Sequence, residues 1–372
     1  MSGNTLFLAL QKTLRVIVLF VLPGILLAYS IYPSGHGYAY DYAIFREAGH
    51  AYLHGRSPYP HPNLKVLARQ HSFVYPAPMA LLFVPFALLP LKVGAVIWGC
   101  FLTGCVVATM RLLQVRDWRL YSIVFLLRPV EFGIRLGTIS PLLALLVAAL
   151  WRYRDRTRPA ALLLAAIIVS KLFLAPLVVW LLVTRRWRAA IYGSVLALVA
   201  TLAAWAPIGF AGFHDYHRVL SLLATGEEQE SFSLASLGLS GGLSAHASHL
   251  LAEVVGAVIL VAAVGVGLRV RRMWGDFSAF TLVIGAALAV SPIVWNHYFV
   301  LLLIPLVIVA PRLSPIWAVP FALYVVGAQS AKHFWPILVG VLAPAVALGW
   351  AIWLGWKDPD ARLGESGLHT NG

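Results

Sequence analysis

The feature that most constrains this chain is a series of apolar stretches that recurs along almost its whole length. Each stretch has about 15 to 22 residues, and a helix needs about 20 to cross a bilayer, or fewer where it lines a cavity. Of the 372 residues, 60% are hydrophobic and 11% are charged, whereas soluble domains are roughly half apolar and a quarter charged. The sequence therefore predicts an all-α polytopic membrane protein.

The net charge of +14 is explained by membrane topology. In a soluble protein this charge would suggest nucleic acid as a partner. Here the Lys and Arg residues gather in short loops between apolar stretches, and the positive-inside rule places such loops in the cytoplasm. Both termini are then cytoplasmic, membrane lipids are expected partners, and nucleic acid is not. The basic clusters lie near residues 12–15, 111–119, 152–158, 185–188, 269–272, 312 and 357–362.

Apolar stretches between these clusters predict a single bundle of about twelve transmembrane helices over residues 1–356. Every inner loop is short, whereas the outer loops 33–77 and 209–247 are long. Loop-borne function is therefore expected on the extracytoplasmic side. Residues 357–372 are polar without an apolar period, which predicts a disordered cytoplasmic tail. The predicted helices cover 13–32, 78–110, 119–134, 138–151, 159–170, 172–184, 189–208, 248–268, 276–294, 298–311, 314–329 and 334–356.

Cations within the apolar part form a first group of candidates. The segment between Arg158 and Arg185 is too short for two full spans, so we predict two short helices that break near Lys171 at a water-filled cavity. Arg128 and Arg135 also lie inside short predicted helices, and ionisable residues at membrane depth are functional hypotheses by default. Glu131 is the one acid near these three cations, so the group carries a net positive charge that would suit a phosphate ligand. A structural ion-pair network is the alternative.

Asp41 is the acid that stands apart in the first outer loop. It opens a predicted amphipathic helix that extends to Leu53, and its neighbours Tyr40 and Tyr42 are aromatic. A helix N-cap is the alternative role for such a carboxylate. The remaining acids of the outer loops have simpler interpretations, above all a solvated charge run formed by Glu227, Glu228 and Glu230.

Trp295, Asn296 and His297 form a polar break at the predicted outer end of a helix. Aromatic residues at this depth commonly form an interfacial belt, and a single histidine is more often structural than functional. A histidine inside such a break nevertheless remains a candidate. The sequence contains no Gly-rich phosphate loop, no Asp-x-Asp pair and no Cys/His cluster with metal spacing, so neither a metal nor a cofactor is expected.

The first outer loop contains three distinctive runs, DYAIFREA at 41–48, LHGRSPY at 53–59 and FVYPAP at 73–78. Together these runs resemble glycosyltransferase family 87. The resemblance continues at Lys171 and in the runs 185–188, 231–239 and 291–298. The chain departs from the family pattern at YPAP 75–78, at GTIS 137–140 and in the distance from Lys171 to the next proline.

The resemblance implies a GT-C fold and a transferase that uses a polyprenyl-phosphate sugar, with mannose as the first expectation. The acceptor would be a glycolipid or polysaccharide on the extracytoplasmic face of the plasma membrane. Asp41 would act as general base, and inversion is expected because no second carboxylate serves as nucleophile. Lys171, His297, Arg128 and Arg135 would bind the donor phosphate. Tyr42, Tyr59, Tyr75, Glu131, Trp295 and Asn296 would bind the substrates.

Two other functions fit some of these features. A transporter or flippase of a lipid-linked saccharide could use the same cationic cavity without a base at Asp41. The absence of an inverted or parallel sequence repeat weighs against it. A membrane scaffold without chemistry would leave the cations at membrane depth unexplained.

Overall fold

The computed structural model describes residues 3–32, 38–63, 67, 72–227, 231–269, 273–324 and 333–357. These residues are helical with irregular connections and contain no β-strand, which confirms the predicted all-α class. Glu228, Glu230 and the predicted tail beyond Lys357 lie outside the described residues, as do parts of the first outer loop.

In chain order the α-helices are α1 (Gly3–Val16), α2 (Leu22–Ile31), α3 (Tyr40–Leu53), α4 (Ala77–Leu82), α5 (Val84–Ala87), α6 (Leu91–Leu112), α7 (Trp118–Leu126), α8 (Arg128–Leu136), α9 (Ser140–Tyr153), α10 (Thr157–Ser170), α11 (Leu177–Val183), α12 (Trp187–Trp205), α13 (Tyr216–Glu227), α14 (Leu234–Ser240), α15 (Ala245–Arg269), α16 (Met273–Val290), α17 (Leu303–Val309) and α18 (Phe334–Lys357).

Six helical segments of the described chain are long and apolar enough to cross a membrane. A seventh crossing results if α8 and α9, which meet at 119°, are one broken span. The predicted number of about twelve spans and the architecture of the loops stay predictions. The six segments are Leu10–Ile31, Leu91–Leu112, Trp187–Ile208, Ala245–Arg269, Met273–Val290 and Phe334–Lys357. Shorter apolar helical segments are Thr157–Ser170, Leu172–Val183, Asn296–Val309 and Pro315–Tyr324.

Proline residues break two helices that were predicted to be continuous. The predicted helix 78–110 is divided into α4, α5 and α6, and Pro90 immediately precedes α6. The predicted helix 119–134 ends at Leu126 and restarts as α8, because Pro129 has no N–H group and its ring would clash with a carbonyl of the preceding turn. The predicted outer loop 209–247 also contains two helices, α13 and α14.

Gly137 allows three helices to approach closely beside the first outer loop. It follows α8 with a left-handed φ of 71°, and a Cβ atom there would lie 2.7 Å from the Cβ atom of Tyr42 on α3. The Trp98 indole N–H on α6 donates to the Gly137 carbonyl at 2.8 Å. Glycine is therefore required at this position both by backbone conformation and by space.

A buried ion-pair cluster connects α16 with the ends of α9 and α11. The Asp276 carboxylate accepts from Arg154 Nε and from both terminal nitrogens of Arg186, each at 2.8 Å. It also accepts from the Trp180 indole at 2.8 Å. The Arg154 guanidinium lies 4.0 Å from the ring centre of Trp151. Four donors thus satisfy one buried carboxylate, as a buried charge requires.

Candidate functional site

Asp41 is the second residue of α3 and therefore does not cap this helix. Its N-cap is Ala39, in a left-handed conformation with φ 52°, and no side chain caps the helix, so the alternative N-cap role is wrong. The Ala39 N–H donates to the Arg135 carbonyl at 2.8 Å, which fixes the start of α3 against the end of α8. Helix α3 is not one of the candidate membrane spans. Burial raises the pKa of Asp41 to about 6, and the nearby Lys171 ammonium opposes this shift.

Lys171 lies at the predicted break. Helix α10 ends at Ser170, and Lys171 is extended, with φ −161° and ψ 112°. Its ammonium lies 3.7 Å from the ring centre of Tyr298 and 4.9 Å from that of Tyr75, and it donates to the Tyr75 hydroxyl at 3.4 Å. The cation is thus held by aromatic faces, whose quadrupoles attract it, beside the carboxylate of Asp41.

Two tyrosine hydroxyls hold the segment that carries Tyr75. The Tyr59 hydroxyl donates to the Tyr75 carbonyl at 3.0 Å, and the Tyr216 hydroxyl donates to the Val74 carbonyl at 3.1 Å. The ring of Tyr59 stacks on Trp205 with centroids 4.4 Å apart. The structure therefore places Tyr59 behind Tyr75, where it supports the side chain that contacts Lys171.

Asn296 and His297 are buried polar residues whose side chains lack partners. They are 3% and 4% exposed, and none of their four side-chain nitrogen and oxygen atoms has a hydrogen-bond partner among the described residues. His297 interacts electrostatically with Lys171, and its ring centre lies 5.0 Å from that of Tyr298. An unpaired buried polar group costs about 1–3 kcal/mol, so a polar ligand that satisfies these atoms would bind favourably here.

The segment that carries these residues is held from two sides. The Val294 N–H donates to the buried Ser231 hydroxyl oxygen at 2.8 Å, and the Phe232 N–H donates to the Val294 carbonyl at 2.8 Å. On the other side, a Cβ atom at Gly133 of α8 would lie 3.7 Å from the Cβ atom of His297. Helix α8 therefore borders both halves of the site, since its end also contacts Ala39.

The other predicted phosphate ligands have partners of their own. Arg128 pairs with the buried Glu131 at 2.8 Å, one turn apart on α8. Arg135 donates to the Tyr29 carbonyl at 3.2 Å, and its guanidinium lies 3.8 Å from the centre of the Tyr29 ring. These contacts favour the structural alternative for both arginines and for Glu131, while a role at the donor phosphate stays a prediction.

Two predicted substrate-binding aromatics belong to the packing around the site. Tyr42 is fully buried, and its ring centre lies 6.1 Å from those of Phe83 and Phe86. Trp295 is half-buried against the core, and its carbonyl accepts from the Tyr298 N–H at 2.9 Å. In the part of the chain that the structure describes, no three His, Cys, Asp or Glu side chains lie close enough to hold a metal ion.

Sequence reasoning missed three residues of the region. Tyr298 provides the nearest ring face for Lys171, and its place in the run 295–298 was the available signal. Ser231 was visible only as one of several serines in the second outer loop. Glu227, interpreted as part of a solvated run, is in fact 4% exposed and interacts electrostatically with Tyr40 beside Asp41. No periodicity marked it as buried.

The chain matches one protein family over more than half of its length. Residues 73–292 match the sequence model of glycosyltransferase family 87. This range includes Tyr75 and Lys171, whereas Asp41 and His297 lie on either side of it. No curated protein and no solved structure matches the chain. The six candidate spans indicate a multi-pass membrane protein. By its family match, the chain belongs to glycosyltransferase family 87 and is a membrane glycosyltransferase that acts on sugar donor and acceptor substrates.

Proposed function

We propose that this enzyme transfers a hexose, most simply mannose, from a polyprenyl-phosphate sugar to a glycolipid or polysaccharide. The reaction takes place on the extracytoplasmic face of the plasma membrane, with both termini of the chain in the cytoplasm. One juxtaposition supports the proposal: the carboxylate of Asp41 and the ammonium of Lys171 lie together, beside the unpaired polar side chains of Asn296 and His297.

In the proposed reaction, Asp41 accepts the proton of the acceptor hydroxyl as its oxygen attacks the anomeric carbon. The bond between that carbon and the phosphate oxygen breaks, and polyprenyl phosphate leaves with the electron pair. Lys171 and His297 stabilise the charge that develops on this phosphate, while Asn296 binds the donor. One displacement inverts the anomeric carbon. Base assistance contributes typically 10²- to 10⁴-fold, and positioning with charge stabilisation supplies the remainder.

The structure offers one reason to prefer chemistry over transport at this site. A pKa near 6 suits a general base that works close to neutral pH. A transporter of lipid-linked saccharides would require no such proton acceptor. Family membership points in the same direction.

Transfer of radiolabelled mannose from polyprenyl-phosphomannose tests the proposal. Purified enzyme in proteoliposomes, with membrane glycolipids as acceptors, is expected to move the label into an acceptor fraction, whereas empty liposomes are not. A product with the opposite anomeric configuration to the donor would support inversion. Label that moves only from an arabinose donor would replace the hexose, and translocation of an intact lipid-linked saccharide without transfer would establish the transport alternative.

The pH dependence of transfer is expected to reflect Asp41. Because the base must be deprotonated, kcat/KM should fall about tenfold per pH unit below a pKa of about 6. Lys171→Met removes the charge that lowers this pKa, so burial should then raise it further and move the acidic limb to higher pH. If the acidic limb of the pH profile of Lys171→Met lies at the same pH as in wild type, the electrostatic coupling of the two residues is contradicted.

A further inference from the structure

An elongated apolar groove runs between α15 and α18, both of which pack on α16. It encloses about 280 Å³, and its walls are almost entirely aliphatic and aromatic. On α18 it extends from Gly340 to Ile352, which is about 18 Å at the helical rise of 1.5 Å per residue. This length and the scarcity of polar atoms suit a hydrocarbon chain better than a compact or polar ligand.

The groove reaches the candidate functional site at one end. Phe232, Val294 and Phe299 line it there, and Val294 is two residues before Asn296. The hydrogen bonds between Ser231, Phe232 and Val294 hold this end in place. A molecule with an anionic head at His297 and a long apolar tail could therefore enter the groove directly behind its head group.

Small residues keep the groove open along α18. Gly349 and Ala345 line it one turn apart and are both exposed, so this side of the groove is open along the helix. A Cβ atom at Gly349 would meet no other atom within 4 Å. A larger side chain can thus be introduced at Gly349 without a clash in the protein itself.

We infer that this groove binds the isoprenoid chain of the lipid-phosphate donor, in the segment nearest to the phosphate. The inference rests on the proposed function, which places the donor phosphate at Lys171 and His297. The phosphate end of the chain would pass Val294, and the following isoprene units would lie along α16 and α18.

Filling the groove should affect donors according to chain length. Gly349→Leu is expected to raise KM about tenfold for a long-chain polyprenyl-phosphate sugar, since displacing about two methylene groups has an effect of this size. The KM for a donor with a two-isoprene chain should change less than about twofold, and kcat should be retained. Ala345→Phe fills the same groove one turn away and provides a second variant if Gly349→Leu folds poorly.

Gly104→Leu is the matched control, because Gly104 is also an exposed glycine of a long apolar helix with no atom within 4 Å of its Cβ position. It lies on α6, away from the groove, and should leave both KM values unchanged. Equal effects of Gly349→Leu on the long and short donors would overturn the inference, as would equal effects of Gly104→Leu and Gly349→Leu on the long donor.

Photolabelling separates this inference from the proposed function, because it needs no transfer. A sugar-free polyprenyl phosphate with a diazirine in its second isoprene unit should label peptides of α16 and α18, and Gly349→Leu should reduce this labelling at least fivefold. Labelling of these helices without any transferase activity would support the groove and contradict the proposed reaction. Two results would overturn the groove assignment. One is an active enzyme that is labelled on other helices. The other is labelling that excess membrane phospholipid suppresses as strongly as unlabelled polyprenyl phosphate does.

Discussion

Replacing Asp41 by asparagine is expected to reduce transfer by about 10²- to 10⁴-fold, the contribution of a positioned general base. Asparagine keeps the shape of the side chain but cannot accept the proton of the acceptor hydroxyl. Burial disfavours the charged carboxylate, as its raised pKa shows, so the variant should be at least as stable as wild type. Loss of activity without loss of stability would distinguish a catalytic from a structural role.

Steady-state transfer assays and thermal unfolding in the same detergent would measure both effects of Asp41→Asn. Glu47→Gln is the matched control, because Glu47 is an exposed carboxylate on the same helix. It should leave kcat and stability close to wild type. Retention of a tenth or more of wild-type activity in Asp41→Asn would remove Asp41 from the role of base.

Asp276→Ala should produce the largest loss of stability, about 3–5 kcal/mol, which is the usual effect of breaking a buried ion pair. It would leave Arg154 and Arg186 without the carboxylate that both share, and their side chains are only 7% and 16% exposed. Denaturant unfolding of the purified protein in detergent would measure this loss. Asp276 lies about 21 Å along α16 from Val290, so KM in the folded fraction should change little.

Asp155→Ala is the matched comparison, because Arg186 pairs with both Asp155 and Asp276. Asp155 also pairs with Arg186 at 2.8 Å, but its side chain is 73% exposed. Exposed ion pairs contribute about 0–1 kcal/mol because solvent screens them. Similar losses in the two variants would show that Asp276 does not organise a buried cluster.

Helix ends were predictable where charge and length limited the possibilities. The basic residues at 158 and 185 left too little chain for two straight spans, and the resulting break occurs at Lys171. Residues 159–170 and 334–356 were predicted as helices and lie within α10 and α18. Their apolar stretches are bounded by charged or polar residues, which hydropathy detects directly.

Prolines and tertiary contacts account for most of what sequence reasoning did not predict. The helices were predicted from apolar length alone, so the breaks between α4 and α6 and between α7 and α8, at Pro85, Pro90 and Pro129, were overlooked although each has a steric cause. Glu227 is buried and interacts electrostatically with Tyr40 of α3, and no local sequence pattern records that contact.

The residues that form the candidate site were easier to select from sequence than the role of each one. Asp41, Lys171, Tyr75, Asn296 and His297 were all selected from sequence, and the structure brings them into one region. Their roles as base and donor-binding groups stay predictions. Sequence ranked Arg128 and Arg135 below Lys171 and offered an ion-pair network with Glu131 as their alternative role. The contact of Arg135 with the Tyr29 ring becomes visible only in three dimensions.

The pairing of Asp41 with a ring-bound Lys171 has a consequence for the order of events during turnover. With Lys171 protonated and Asp41 ionised, the two side chains together carry no net charge, and the pair becomes positive once Asp41 accepts a proton. In the proposed reaction this gain of charge coincides with the appearance of negative charge on the leaving phosphate. Product phosphate would then be held most tightly just after transfer, and loss of the proton from Asp41 would precede its release.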